Sequence, residues 1–139
     1  MGIRWTIEGV EAISLDEHSI ETCKFITDTL DDSNARSTDV GNTMIWTAGI
    51  LTAVDRADDT MKIAKWSVVR AESADSYRKA TVEIVSANQI VRKVHFPNAF
   101  VVDYQERYGD TEGIGEFTLV IRQKKDKFEM TTIDGGYAF

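Results

Sequence analysis

The chain has 139 residues, 42% of them hydrophobic, and a net charge of −7 from 16 basic and 23 acidic side chains. This length and composition predict one globular domain over residues 1–139, and the acidic balance argues against nucleic acid as a partner. A single cysteine, Cys23, excludes an internal disulfide framework, and two histidines with one cysteine disfavour a His/Cys zinc site. No apolar run approaches the ~20 residues of a membrane span, and the first residues do not read as a secretory signal. We therefore expect synthesis in the cytoplasm without membrane insertion.

The first half of the chain predicts three strands. β-branched residues at 3–13 indicate the first, alternation of Cys23, Phe25 and Thr27 within 20–30 indicates the second, and a mostly apolar run at 44–54 indicates the third. Gly49 indicates a bulge or a close backbone approach in that third strand. The polar stretch 31–43 between strands is long, because hairpin loops usually have about 2–5 residues. Its length is equally compatible with a functional loop and with a flexible loop that has no function.

A helix is predicted over residues 58–69, with Asp58 or Asp59 as its N-cap. Asp58 and Lys62 are also spaced for an i,i+4 ion pair. The apolar positions recur at helical spacing along two flanks, one with Ala57, Met61, Ala64 and Val68 and the other with Ile63 and Trp66. Trp46 and Trp66 are predicted to be largely buried.

The remainder predicts strands at 81–85, 90–96, 100–104, 116–122 and 127–133, with the clearest alternation around Phe117, Leu119 and Ile121. Such alternation of apolar and polar residues indicates one solvent-exposed face and one face packed on the core, as in an antiparallel sheet. The predicted fold class is therefore mainly β, an antiparallel two-sheet β-barrel with one embedded α-helix. A parallel βαβ fold would need more helices.

Motifs for catalysis are lacking. The sequence has no dinucleotide or Walker glycine loop and no HExxH pattern, and acid pairs fall at a loop and a helix cap. Cys23 alternates with apolar residues and is predicted to be a buried, inert thiol. His18 lies among acids and is predicted to be solvated. We predict no catalytic, metal or cofactor-binding residue, and a small hydrolase using His95 and Asp103 is kept as an alternative.

One motif connects the C-terminal half to a known family. It consists of Phe96, Asn98, Ala99, Val102, Tyr104 and Glu106. A helix with Trp66 near its end precedes this motif, and an alternating strand from Gly115 follows it. Over residues 58–123 the chain resembles the Hcp (haemolysin-coregulated protein) family of type VI secretion tube proteins, whose wider group includes phage tail tubes and other contractile injection systems.

The resemblance implies a compact β-barrel whose copies close into hexameric rings and stack into a hollow tube, propelled by a contracting sheath. Implied partners are further copies of the chain, sheath, baseplate or spike proteins, and effectors. The resemblance also implies that the protein is assembled in the cytoplasm and is later ejected with the apparatus. The opening residues 2–5 depart from the family's usual start.

In the family an extended loop between early strands helps rings contact one another, and residues 31–43 occupy that position. The candidate interface residues are Asp31, Asp32, Ser33, Asn34, Arg36 and Asp39. A further alternative is a small ligand- or protein-binding β-barrel, such as a baseplate adaptor.

Charge is distributed unevenly along the chain. Residues 1–60 carry 12 acids and 4 bases, a net of −8, whereas residues 61–139 carry 11 acids and 12 bases, a net of +1. A head-to-tail ring requires two unlike complementary surfaces on each copy, and this asymmetry could supply them.

Overall fold

The structure is a computed structural model that describes residues 2–15, 20–28, 41–49, 59–70, 72–109, 115–124 and 131–138. Its strands are β1 (Gly2–Glu8), β2 (Ile13–Leu15), β3 (Ile20–Asp28), β4 (Gly41–Gly49), β5 (Arg78–Ser86), β6 (Gln89–Tyr108), β7 (Gly115–Gln123), β8 (Thr132–Asp134) and β9 (Tyr137–Ala138). Helix α1 (Asp59–Ser67) and a short 3-10 helix (Ala74–Ser76) lie between β4 and β5. The prediction of a mainly β fold with one α-helix is confirmed.

All the strand pairings of the described residues are antiparallel. The strand order is β2-β1-β5-β6-β7-β4-β3, and the short strands β8 and β9 pair with β6. Hairpin β5–β6 turns through Ala87 and Asn88, whose φ angles of 51° and 62° fit a two-residue turn with both central residues in the left-handed region.

The sheet curls over its own core. Trp5 on β1 stacks on Trp46 of β4 with ring centroids 4.2 Å apart, although three strands separate β1 from β4 in the sheet. Phe25 on β3 likewise meets Phe96 on β6, at 6.1 Å. Over the described residues no ladder joins β3 to β1 or β2. The predicted two-sheet barrel is therefore one curled sheet whose two layers face each other across the core and whose ends are not hydrogen-bonded together.

The core of this curled sheet is built around three tryptophans. Trp5, Trp46 and Trp66 are at most 2% exposed, which confirms the predicted burial of Trp46 and Trp66. On β7 every second residue is buried, from Gly115 through Gln123, as its alternation predicted.

Strand β6 differs most from the prediction. Two strands were expected, at 90–96 and 100–104, because Pro97 cannot donate to a ladder. The structure instead has one strand of 20 residues that passes through Pro97. The register against its neighbours shifts near Val91, at Pro97–Asn98 and at Val102, each time with an extra residue on β6. These β-bulges accommodate the proline and bend the strand, so that its first part pairs with β5 and its last part pairs with β7.

Two further strand predictions are corrected. The first expected strand, 3–13, is a hairpin in which Ile7 pairs with Ile13 across a turn. The third begins at Gly41, so residues 41–43 of the predicted loop belong to β4; residues 50–58 lie outside the described part. The second strand agrees with β3 to within two residues, and of the expected strand 127–133 only its end is described, within β8.

Helix α1 agrees with its predicted span, but not with its predicted main face. Met61 and Val68 are 53% and 80% exposed, whereas Ile63 and Trp66 are buried. The reason is that α1 packs against β2 and β6 through the Ile63 and Trp66 flank. The Asp59 carboxylate accepts a hydrogen bond from the Ser14 backbone N–H at 2.8 Å, and it pairs with Lys62 at 3.3 Å. Asp58, the other predicted cap and ion-pair residue, lies outside the described residues.

Candidate assembly interface

The bends in β6 divide the molecule into two halves. The first, which we call the capped half, consists of β1, β2, α1, β5, residues 89–98 of β6, β8 and β9. We call the edge half β3, β4, β7 and residues 99–108 of β6. In the capped half β6 has β5 on one side and β8 and β9 on the other. In the edge half β6 has β7 on one side, and the pairing with β5 has ended at Ala99.

The edge half carries two open strand edges. Over the described residues no strand pairs with the second edge of β6 beyond Ala99, or with the edge of β3 that faces away from β4. Although β1 approaches β3, they form no ladder in that part of the chain. Such edges present unpaired backbone N–H and C=O groups, which are templates for pairing with another chain.

Residues of the family motif hold β6 where it passes from β5 to β7. Phe96 and Ala99 are fully buried in the core. The Asn98 backbone N–H donates to Gln123 Oε1 at 3.1 Å, and the Lys124 N–H donates to the Asn98 carbonyl at 2.9 Å. These bonds satisfy backbone groups that the bulge at Pro97–Asn98 removes from the regular ladder.

The rest of the motif stiffens the open part of β6. The Tyr104 hydroxyl donates to Glu106 Oε1 at 2.6 Å, and the Tyr108 hydroxyl donates to Glu106 Oε2 at 2.8 Å. The Tyr104 ring also stacks on Phe117 of β7, with centroids 5.9 Å apart. Val102 is the bulged residue and is 47% exposed. This segment is therefore braced as an extended strand while its apolar bulge faces solvent.

A buried cluster fixes the point at which β5 separates from β6. Trp66 Nε1 donates to the Ser76 carbonyl at 3.1 Å, and the Arg78 guanidinium lies 5.3 Å from the Trp66 ring. Arg78, whose side chain is 4% exposed, binds both carboxylate oxygens of Asp75, at 3.1 and 2.7 Å. The hydrogen bonds from Arg78 hold the pKa of Asp75 below its ordinary value.

The residues considered for catalysis do not assemble. His95 and Asp103 lie eight residues apart in β6 and pair with different strands, His95 with Thr81 of β5 and Asp103 with Val120 of β7. His95 bonds to Thr81 Oγ1 through Nδ1 at 2.8 Å, and burial lowers the pKa of the imidazole. Asp103 accepts a hydrogen bond from Gln105 instead, so the described contacts give the hydrolase alternative no support. His18 lies outside the described residues.

Cys23, predicted to be a buried, inert thiol, is half-buried in the structure. Burial raises its pKa to about 12, and the Trp46 side chain opposes this shift only in part. A thiol with such a pKa is protonated at neutral pH and is a poor nucleophile.

Cavities and metal clusters give no further candidate among the described residues. A cavity of about 100 Å³ lies between α1 and β6, lined by Trp66, Val69, Tyr77 and Phe100 among others. Ligand pockets usually enclose about 300 Å³ or more, so this cavity is small for a ligand. A second depression of about 330 Å³, lined by Val91, Arg92, Ile133, Asp134 and Gly135, is a shallow groove that is largely open to solvent. The described segments hold no group of three His, Cys, Asp or Glu side chains arranged for a metal, and none of their helices is long and apolar enough to cross a membrane.

The loop predicted to contact a neighbouring ring cannot be placed. Its candidate residues Asp31, Asp32, Ser33, Asn34, Arg36 and Asp39 lie outside the described residues. Their role stays a prediction.

Comparison with solved structures identifies the fold. The chain is similar to Hcp1 from Flavobacterium johnsoniae, with a TM-score of 0.56 and 13% sequence identity over 96% of this chain and 95% of that one. The fold is that of the Hcp-like tube proteins. A chain in the cryo-EM structure of the anti-feeding prophage baseplate, 6-fold symmetrised, matches this Hcp-like fold with a TM-score of 0.57 and 13% identity, over 96% of this chain and 92% of that one.

Two more solved structures, one of them from the same anti-feeding prophage, contain chains with the Hcp-like fold. Chains in the anti-feeding prophage tube-terminating cap and in the extended sheath–tube complex of the PVC extracellular contractile injection system give TM-scores of 0.54 and 0.53, each at 10% identity. These matches cover 95% and 96% of this chain, and 88% and 89% of the other chains. No family model and no curated protein matches the sequence.

The sequence motif identified the fold, but sequence reasoning missed the open edges. The sequence signal related to them is at Val102, where the alternation of apolar and polar residues on β6 breaks. The break marks a β-bulge, and bulges are frequent at sheet edges.

Proposed function

We propose that this chain is a structural protomer that assembles into hexameric rings, which stack into the hollow inner tube of a contractile injection apparatus. The observation that carries the proposal is the near-complete coverage, in both directions, between this chain and components of several contractile assemblies. The 6-fold symmetry of the anti-feeding prophage baseplate supports six copies in the ring.

The geometry supports self-assembly in a second way. A closed ring needs two different surfaces on each copy, and the edge half has two different open edges, one on β3 and one on β6. Joining these edges between copies would remove the aggregation hazard that each presents in the isolated chain.

The partners follow from the same role. We propose that the tube contacts a sheath, a baseplate or spike protein and effectors, and that it is built in the cytoplasm before it is ejected. Catalysis has no part in this role.

Mass photometry and negative-stain microscopy of the purified full chain test the proposal. We expect sixfold rings, and stacks of rings at higher concentration. A species that stays strictly monomeric at every concentration up to the solubility limit would contradict it.

A second position in the same kind of apparatus is favoured by the matches to baseplate and tube-terminating cap structures. In that case the purified chain would form single rings whose stacking stops. The length distribution of the particles in the same micrographs separates a baseplate or cap component from a tube protomer.

A further inference from the structure

Two very short strands cover one side of β6 in the capped half. β8 pairs with residues 93–95 of β6, and β9 pairs with residues 89 and 90. β5 takes the opposite side of this stretch, and β7 takes over the side of β8 and β9 from Ala99 onward. We call residues 132–138, which contain β8 and β9, the strap. The strap therefore closes the part of this side that β7 leaves open.

The strap adds little to the core of the molecule. β8 has three residues and β9 has two. Residues 132–137 are all exposed, and the buried core cluster includes none of them. The two large side chains, Ile133 and Tyr137, are 54% and 40% exposed. A segment with few buried apolar contacts opens at a much lower free energy than the whole domain unfolds.

Close packing of the turn between β8 and β9 fixes the closed position of the strap. The Gly136 N–H donates to the Ile90 carbonyl at 2.8 Å. Gly135 lies so near to β6 that a Cβ in its place would overlap the carbonyl oxygen of Val91. Only glycine permits such a close approach of two backbones, so any other residue at position 135 has to lift the strap from β6.

Charge also favours the closed position. Asp134 of the strap pairs with Lys93 across the ladder. The row continues through Glu83 of β5 to Arg4 of β1, so four cross-strand neighbours alternate in sign. Opposite charges at directly opposed positions stabilise a strand pair, and like charges destabilise it. The strap supplies the last charge of this row.

The strap changes the edge that the capped half presents to other chains. Without it, residues 89–95 of β6 would expose unpaired backbone groups. Ile90, which is 7% exposed and pairs with Tyr137, would lose its neighbour on that side. With the strap closed, the edge consists of the three residues of β8 and the two of β9. Very short edge strands are poor templates for pairing with another chain.

The edge half has no comparable cover among the described residues. β3 has nine residues, and the stretch 100–108 of β6 is equally long. Neither has a strand on its free side in the described part of the chain. The fold therefore protects β6 in the capped half with a separate segment and leaves the longer edges uncovered.

We propose that the strap opens and closes on β6 while the rest of the sheet stays folded, and that its closed position keeps residues 89–95 from pairing with a second copy of the chain. Opening is a property of the single chain, so this inference goes beyond the proposed tube and is measurable where no rings form. Its consequence is that copies associate through the edge half and not through the capped half.

Amide hydrogen exchange of the full-length wild type, followed by NMR in dilute solution, tests the opening. The Gly136 amide should be protected, but at least about a hundredfold less than the amides of residues 80–84 in β5, which are paired on both sides. Equal protection would overturn the proposal, because the strap and the sheet would then open only together. A Gly136 amide without any protection would also overturn it, because the strap would not be closed.

Two substitutions open the strap by independent means. Gly135→Ala introduces the overlap with Val91, and Asp134→Lys sets like charges opposite one another at Lys93. Each should lower the protection of the Gly136 amide by at least about fivefold and leave residues 80–84 within about threefold of the wild type. Loss of protection in β5 to the same extent would contradict a strap that opens alone.

The same two variants test whether the closed strap guards the edge. In each, oligomers other than rings should become at least about fivefold more abundant, measured by size-exclusion chromatography with light scattering. Gly41→Ala is the control for Gly135→Ala, since its Cβ meets no described atom within 4 Å beyond its chain neighbours. Glu72→Lys, at an exposed position, is the control for the charge reversal. Both controls should match the wild type.

The outcomes separate the strap from the proposed function. Variants with an open strap and no additional oligomers would overturn the guarding role. A wild type that forms no rings would contradict the proposed function, whereas the exchange of the Gly136 amide would still decide whether the strap opens.

Discussion

Strand β6 runs through both the capped half and the edge half, but its backbone pairing differs between the two. In the capped half its backbone is paired on both sides, and α1 is tied to β2 through Asp59 and Lys62. In the edge half no described strand pairs with one side of β6, and its side chains Tyr104, Glu106 and Tyr108 bond to one another. We expect from this difference that stability is concentrated in the capped half and that the proposed association between copies uses the edge half.

The largest effect is expected where the capped half is most tightly joined. Asp75→Ala leaves the buried Arg78 guanidinium without its carboxylate and should lower the free energy of unfolding by about 3 kcal/mol, measured by urea denaturation. Glu72→Ala is the control, because its ion pair with Arg70 is exposed and 4.0 Å long, and its loss should cost less than about 0.5 kcal/mol. Equal effects of the two substitutions would contradict the comparison.

The same pair predicts how stability depends on pH. The folded chain holds the pKa of Asp75 below its ordinary value of 3.8. Between the folded pKa and pH 3.8, the unfolded chain therefore binds more protons at Asp75 than the folded chain does. The contribution of Asp75 is therefore complete above pH 3.8 and is lost as the pH falls through the lower, folded pKa. Thermal melting in acid should show a steeper loss for the wild type than for Asp75→Asn. Parallel curves would disprove this role for Asp75.

A smaller effect is expected at the turn that contacts Arg78. A Cβ at Gly9 would lie 2.9 Å from Arg78 Cδ, so Gly9→Ala should destabilise the fold by about 1 kcal/mol through overpacking. Gly41→Ala, in the edge half, places its Cβ more than 4 Å from every described atom other than those of its chain neighbours, and should have almost no effect. Chemical denaturation of both variants measures the contrast, and a larger loss from Gly41→Ala would reverse it.

The smallest effect on stability is expected in the open part of β6. Glu106→Ala removes two hydrogen bonds between exposed side chains and should cost about 0.5 kcal/mol. A loss above about 2 kcal/mol in urea would show that the edge half contributes to stability as strongly as the capped half.

Sequence reasoning succeeded where one physical signal dominates. The alternation around Leu119 predicted β7, and the helical spacing from residue 58 predicted the start of α1 to within one residue. The Asp59 carboxylate, expected as the N-cap, accepts from the Ser14 N–H instead. The motif from Phe96 to Glu106 indicated the Hcp-like fold, although identity to the solved structures is only 10–13%. Its members Phe96 and Ala99 are buried in the core, and Tyr104 and Glu106 hydrogen-bond to one another.

The failures arise where tertiary contacts override local pattern. Pro97 predicts a break, but a bulge places it in a continuous strand. Met61 and Val68 have helical spacing, yet the flank with Ile63 and Trp66 faces the sheet, because burial depends on where β2 and β6 lie. The open edges depend on which strands are neighbours, which a single sequence does not encode locally.

Hydrogen exchange measured by mass spectrometry over a range of protein concentrations tests the central claim most directly. As rings form, backbone amides of β3 and of residues 100–108 should become protected. Amides of β5 and of residues 89–95, already paired on both sides in each copy, should exchange at the same rate throughout. Protection that grows with concentration in β5 but not at the two open edges would contradict the account.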